Sequence, residues 1–208
     1  MKRYIILACT LAMLALGAVT ALAQGDASDA LSTESIPLNV QVSHNGVITG
    51  ASHRHYTGVF ESYDGGHTWD QLQPSGLEVY TKTSDPVTTF DEQGNGYFTL
   101  LTIGPLGVDM LKKTSGGNWG APVTVDRTTR ADKQWIAGDQ NPQGSSPHAG
   151  NVYMSWADVT LNNQENARIV FARSTDRNVT WSPPITLANG FVEGPVPGVA
   201  PDGTMYVA

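Results

Sequence analysis

Ser62-Tyr63-Asp64-Gly65-Gly66-His67-Thr68-Trp69 has the form S-x-D-x-G-x-T-W, and its reading decides the fold. The pattern returns at Ser174-Thr175-Asp176-Arg177-Asn178-Val179-Thr180-Trp181, with Asn178 in the glycine position. An eroded copy, Lys113-Thr114-Ser115-Gly116-Gly117-Asn118-Trp119, lies between them. The three tryptophans are 50 and 62 residues apart, a period that signals stacked repeat units. β-prone apolar runs precede the two copies that carry the aspartate, Tyr56-Thr57-Gly58-Val59-Phe60 and Ala167-Arg168-Ile169-Val170-Phe171-Ala172. Leu72 and Ile185-Thr186-Leu187 follow them. Strand, turn and strand in that order predict a β-hairpin. The aspartate accepts hydrogen bonds from N–H groups further along and closes an Asx-type turn. Glycine, or asparagine after it, supplies the left-handed backbone. The threonine bonds locally, and the tryptophan ring packs under the turn. Ser62, Asp64, Gly66, Thr68 and Trp69 are therefore read as turn-forming residues, as are Ser174, Asp176, Thr180 and Trp181. The third copy lacks the aspartate and must be held by other bonds.

A second repeat keeps the same period. Asp85–Phe98 and Gly194–Val207 each read as a short strand, an Asp/Gly turn and a strand carrying a tyrosine. Lys133–Asp139 followed by Gly150–Trp156 is the same unit with a longer turn, and Val40–Ile48 opens the first unit. Tyr97, Tyr153 and Tyr206 are 56 and 53 residues apart. Two unrelated markers with one period predict an all-β chain of repeated antiparallel sheets.

The S-x-D-x-G-x-T-W stretches resemble the Asp box, or BNR repeat, of sialidases and their relatives. The resemblance implies a β-propeller of four-stranded blades, with these turns between the third and fourth strands of each blade. Blades are expected at approximately 36–80, 84–125 and 132–188, with another from about residue 193. These make about three and a third blades, so the sequence is expected to be the N-terminal part of a ring of about six or more. Sialidases, as the resemblance implies, use an arginine cluster for the substrate carboxylate, a Tyr–Glu nucleophile pair and an aspartate acid/base. Their Phe/Tyr-Arg-Ile-Pro signature is absent. The arginines after residue 23 are Arg54, Arg127, Arg130, Arg168, Arg173 and Arg177, and none has that context.

Residues 1–23 read as a secretory signal: Lys2 and Arg3, an apolar run from Ile5 to Val19, then Ala21-Leu22-Ala23. The run is short for a membrane span and polar residues follow it, so no membrane association is expected after cleavage. Cys9, the only cysteine, leaves with the signal, so no disulfide or thiolate metal site is expected. Residues 24–35 read as a flexible tail before the propeller of 36–208. With 12 Lys+Arg against 19 Asp+Glu, the formal net charge is −7, which argues against nucleic acid as a partner. A secreted, periplasmic or extracellular chain that binds glycan or protein is expected.

Aligning the inner strands places Ser84, Asp132 and Glu193 in one column, with Asp85 and Lys133 beside them. Asp132 and Glu193 are the candidate catalytic carboxylates, since glycoside hydrolysis uses such a pair; the competing reading is that they cap strand starts. His53 and His55 share one face of an extended run; with Arg54 they are the candidate substrate-binding residues. The loop from Asp139 to Gly150 offers a carboxylate and carbonyls to Ca²⁺, without any EF-hand spacing; no other cofactor or metal is expected. Asn178-Val179-Thr180 matches a glycosylation sequon but lies inside the turn motif. Two functions stay open. One is a glycan- or protein-binding propeller or diverged glycoside hydrolase. The other is an exo-α-sialidase-like hydrolase whose remaining residues lie beyond 208.

Overall fold

A computed structural model describes residues 38–43, 57–72, 74–159, 167–190 and 194–208. The signal (1–23), the tail (24–35), His53, Arg54, His55 and Glu193 lie outside the described residues. The first sheet holds β1 (Leu38–Ser43), β2 (Thr57–Ser62) and β3 (Asp70–Leu72). The second holds β4 (Lys82–Phe90), β5 (Gly96–Ile103), β6 (Gly107–Lys113) and β7 (Val123–Asp126). The third holds β8 (Ala131–Gly138), β9 (Val152–Asp158), β10 (Arg168–Ser174) and β11 (Ile185–Asn189). β12 (Pro197–Val199) and β13 (Met205–Val207) form a hairpin beyond it. Pairing is antiparallel throughout, and spatial order follows chain order. These are successive blades of a β-propeller, with four strands in the second and third among the described residues.

The sheets stack face to face because their middle strands are apolar on both sides. Side chains alternate across a strand. In β5, Tyr97 and Leu101 join Val108, Met110, Met154, Trp156 and Val170 in the core against the third sheet. Phe98 and Leu100 join Val59, Leu77, Tyr80 and Leu111 in the core against the first. A strand buried on both faces reads as a near-continuous apolar run, and Tyr97–Leu101 is one.

Polar residues cross the same boundaries. Lys113 Nζ lies 2.5 Å from Glu61 Oε2, both side chains nearly fully buried. Tyr63 donates to the same oxygen at 2.7 Å, and Trp119 Nε1 donates to Glu61 Oε1 at 2.7 Å. Burial opposes the Lys113 charge, but the bonds to Glu61 and Tyr63 outweigh it and raise its pKa. Tyr80 and Arg127 both bond Asp109 Oδ2. On the other side of the second sheet, Arg177 reaches Glu92 at 2.5 Å and Asp91 at 3.3 Å.

The inner strands β4 and β8 converge toward their C-terminal ends. Gly138 N donates to Thr89 Oγ1 at 2.9 Å. A Cβ on Gly138 would lie 2.0 Å from the Phe90 carbonyl oxygen, so only glycine fits there. Gly138→Ala is expected to force the two strands apart, at a cost of about 1–3 kcal/mol; a urea midpoint equal to that of the parent chain would contradict this contact. Glu61→Gln leaves the Lys113 ammonium buried without its counter-charge. Removing one member of a buried pair typically costs about 3–5 kcal/mol, and chemical denaturation of this variant should show a loss of that size.

Candidate functional site

The Ser62–Trp69 turn and its Ser174–Trp181 counterpart share one Ser–Asp–Thr hydrogen-bond scheme. In the first, between β2 and β3, Ser62 Oγ donates to Asp64 Oδ1 at 2.8 Å and accepts from Gly66 N at 2.8 Å. Asp64 accepts from Thr68 N at 2.9 Å and from its hydroxyl at 2.6 Å. In the second, between β10 and β11, Ser174 Oγ bonds Asp176 at 2.8 Å and accepts from Asn178 N at 2.8 Å. Asp176 accepts from Val179 N, Thr180 N and the Thr180 hydroxyl at 3.0, 2.8 and 2.5 Å. Gly65 and Gly66 have φ of 70° and 91°; Arg177 and Asn178 take 57° and 70° at the same places. The eroded turn closes through its backbone, Gly117 N to Thr114 O at 2.8 Å, with Ser115 N on Asn95 Oδ1 at 3.2 Å.

The tryptophans differ. Trp181 packs on the core between the second and third sheets, and Trp119 meets Phe98 edge-to-face at 4.9 Å. Trp69 donates from Nε1 to Gly66 O at 3.0 Å yet stays 39% exposed and lies in neither core. The expectation that its ring packs under the turn holds for the polar edge alone. The Asn178 amide is buried, donating to Met110 O at 3.2 Å and accepting from Trp181 Nε1 at 2.8 Å, so this sequon is inaccessible.

In antiparallel sheets these turns share one end of the molecule with the β4–β5 and β8–β9 loops. The inner strands begin at the other end, and there β4 and β8 carry the same irregularity. Ser84 pairs Leu101 and Val87 pairs Thr99; Asp132 pairs Ala157 and Trp135 pairs Ser155. Two residues oppose one in each case, Asp85 and Pro86 against Leu100 and Lys133 and Gln134 against Trp156, a β-bulge. The extra residue is left-handed: Asp85 at φ 51°, Lys133 at φ 50°. Non-glycine residues rarely hold this region without an over-determining context. One such contact joins the bulges, where Gln134, itself buried, donates from Nε2 to the Asp85 carbonyl.

The bulge decides which side chains share a face. Ala157 and Ser155 project to the same side of β9, so their partners Asp132 and Trp135 also share a side. The alternation of an unbulged strand would separate them. Asp132 lies 3.3 Å from the Lys133 ammonium, and Trp135 is 46% exposed. The structure thus places a carboxylate, an ammonium and an open indole at the start of one inner strand. The sequence reading singled out Asp132 and Lys133 and missed Trp135. Glu193, its proposed partner, lies outside the described residues, as do His53, Arg54 and His55.

The Asp139 loop is closed by donors. Oδ1 accepts from Asn141 N and Nδ2 at 3.0 and 2.7 Å, and Oδ2 from Ser146 Oγ at 2.6 Å. Three of the carboxylate's roughly four lone-pair sites are thus taken by protein donors. Among the described residues no group of three or more His, Cys, Asp or Glu side chains is placed to hold a metal.

No family model matches the chain, and no curated protein matches it. Solved structures do. The intramolecular trans-sialidase from Ruminococcus gnavus is similar over 65% of this chain and 27% of its own, at 18% identity and a TM-score of 0.44. Trypanosoma rangeli sialidase is similar over 83% of this chain and 33% of its own, at 13% identity and a TM-score of 0.49. A thermostable family-43 glycoside hydrolase is similar over 84% of this chain and 62% of its own, at 11% identity and a TM-score of 0.49. The chain therefore spans less than two thirds of each of these structures.

The turn carboxylates titrate far from their ordinary range. The Thr68 hydroxyl, then the Thr68 N–H and the Ser62 hydroxyl, hold Asp64 well below it. For Asp176, what burial there is acts upward; the Thr180, Ser174 and Val179 bonds outweigh it and lower the pKa to about 2. A carboxylate depressed in the folded state stabilises the fold above its unfolded pKa, about 3.9, and loses that contribution as pH falls toward the folded value. Asp176→Asn should therefore flatten the fall in melting temperature between about pH 4 and pH 2; profiles of identical slope for variant and parent would refute this role.

Proposed function

We propose that the chain is an exported glycan-binding propeller, with its site at the start of the third sheet's inner strand. One observation carries this reading: the exposed Trp135 ring stands on the same face as Asp132, beside Lys133. A flat apolar ring against the C–H face of a sugar, rimmed by groups that bond hydroxyls, is what saccharide recognition requires. Export rests on the basic, apolar and Ala-x-Ala pattern of residues 1–23.

Binding is favoured over sialoside hydrolysis by where the arginines go. Arg127 is committed to Asp109 at 2.5 Å, Arg168 to Asp158 at 2.8 Å, and Arg177 to Glu92 at 2.5 Å. Guanidinium groups paired in this way are poorly placed to form a cluster that holds a substrate carboxylate. Asp132 with an ammonium at 3.3 Å suits a hydroxyl-binding ion pair better than a proton donor.

A glycan array probed with the 208-residue chain should return at least one saccharide. Calorimetry with that saccharide should show Trp135→Ala weakened about tenfold or more, which is about 1.4 kcal/mol. The same preparation should leave a fluorogenic sialoside intact. Absence of any bound glycan, or equal affinity for Trp135→Ala, would sink the proposal; sialoside turnover abolished by Asp132→Asn would replace it with hydrolysis.

A further inference from the structure

The far end of the third sheet holds a second feature, which no part of the glycan reading uses. A groove of about 280 Å³ runs between the sheet and the β12–β13 hairpin. Its walls include Tyr153, Phe171, Arg173, His148, Asn151 and Thr204. His148 and Asn151 come from the β8–β9 loop, Thr204 from the turn before β13. Tyr153 and Phe171 stack with centroids 6.0 Å apart and planes at 24°, and the half-buried Phe171 is the more exposed of the two rings. Arg173 pairs with Tyr153 across β9 and β10, so its side chain projects on the same face.

Arg173 and Tyr153 bring protons to the groove, and the Asp139 carboxylate near Tyr153 already accepts from Asn141 and Ser146. Arg173 is exposed and has no ion-pair partner among the described residues. Tyr153 is 3% exposed, and its oxygen accepts from Asn151 Nδ2 at 3.2 Å. That bond leaves the buried hydroxyl proton of Tyr153 without an acceptor among the described residues. Burial raises the Tyr153 pKa, so the proton stays on the ring oxygen. A guanidinium fork matches a carboxylate with two parallel bonds, and a phenol proton adds a third. The partly exposed Phe171 ring favours a ligand whose body is planar and apolar.

We propose that this groove binds a small planar organic carboxylate, its carboxylate on Arg173 and the Tyr153 hydroxyl and its ring along Phe171. The site lies at the opposite end of the sheet from Asp132. With a formal charge of −7, the chain as a whole repels anions, so saturable binding there has to come from local groups.

Benzoate is the probe, with benzyl alcohol as its neutral counterpart and inorganic phosphate as an anion without a flat body. Titration of the 208-residue chain, followed by calorimetry and by NMR of the labelled protein, should show saturable benzoate binding. Benzyl alcohol and phosphate should each bind at least about tenfold more weakly, a difference of about 1.4 kcal/mol. Arg173→Gln should lose benzoate binding by a similar factor. Its melting temperature should not move, because the side chain it replaces is exposed. Tyr153→Phe, which keeps the wall and removes the proton, should weaken benzoate and leave benzyl alcohol unchanged. No saturable benzoate binding, equal binding of phosphate, or indifference to Arg173→Gln would each overturn the assignment.

Discussion

Everything in this molecule depends on strands that have no outward face. β5 presents Phe98 and Leu100 to one neighbouring sheet and Tyr97 and Leu101 to the other. A sheet built from such strands cannot bury itself; each surface left bare is apolar and must be covered by the next sheet. The repeat is the consequence. Each unit exists because its neighbours do, and stability accumulates at the boundaries between sheets rather than inside any one of them.

Those boundaries are apolar in the middle and charged toward the ends. Glu61 with Lys113, and Asp91 and Glu92 with Arg177, join residues in adjacent sheets, and each carboxylate is almost fully withdrawn from water. Apolar layers alone would tolerate sliding of one sheet over another. A buried ion pair does not, because any shift strands a charge in a poor solvent. Gly150 belongs to the same device: a Cβ there would lie 2.5 Å from the Arg177 guanidinium, so the loop is pared to backbone where the arginine passes.

Much of the fold was legible because its determinants are local. Asp64 bonds Thr68, and Asp176 bonds Thr180, both four residues on, so a short motif contains the whole turn. The contacts that join sheets are not local. Glu61 and Lys113 are 52 residues apart, Arg177 and Glu92 85, and no spacing rule connects them. The three motif tryptophans make the same point, since Trp181 and Trp119 find a core behind them and Trp69 does not. The candidate site was half readable. Asp132 and Lys133 emerged from aligning strand starts. Trp135 did not, because period-two alternation puts residues 132 and 135 on opposite faces, and only the bulge brings them to one side.

The shared bulge also bears on how such a chain can change length. In a regular strand, deleting one residue inverts every side chain on one side of the cut, sending core residues to water. Asp85 and Lys133 are places where the surplus residue is already absorbed by a left-handed step. Loss of Lys133 would leave a regular ladder in which Asp132 and Trp135, then two positions apart, still share a face, and only the ammonium between them is gone. The inner strand thus has a built-in point at which a single codon adds or removes a charge beside the exposed indole and leaves the facing of every residue downstream of it in place.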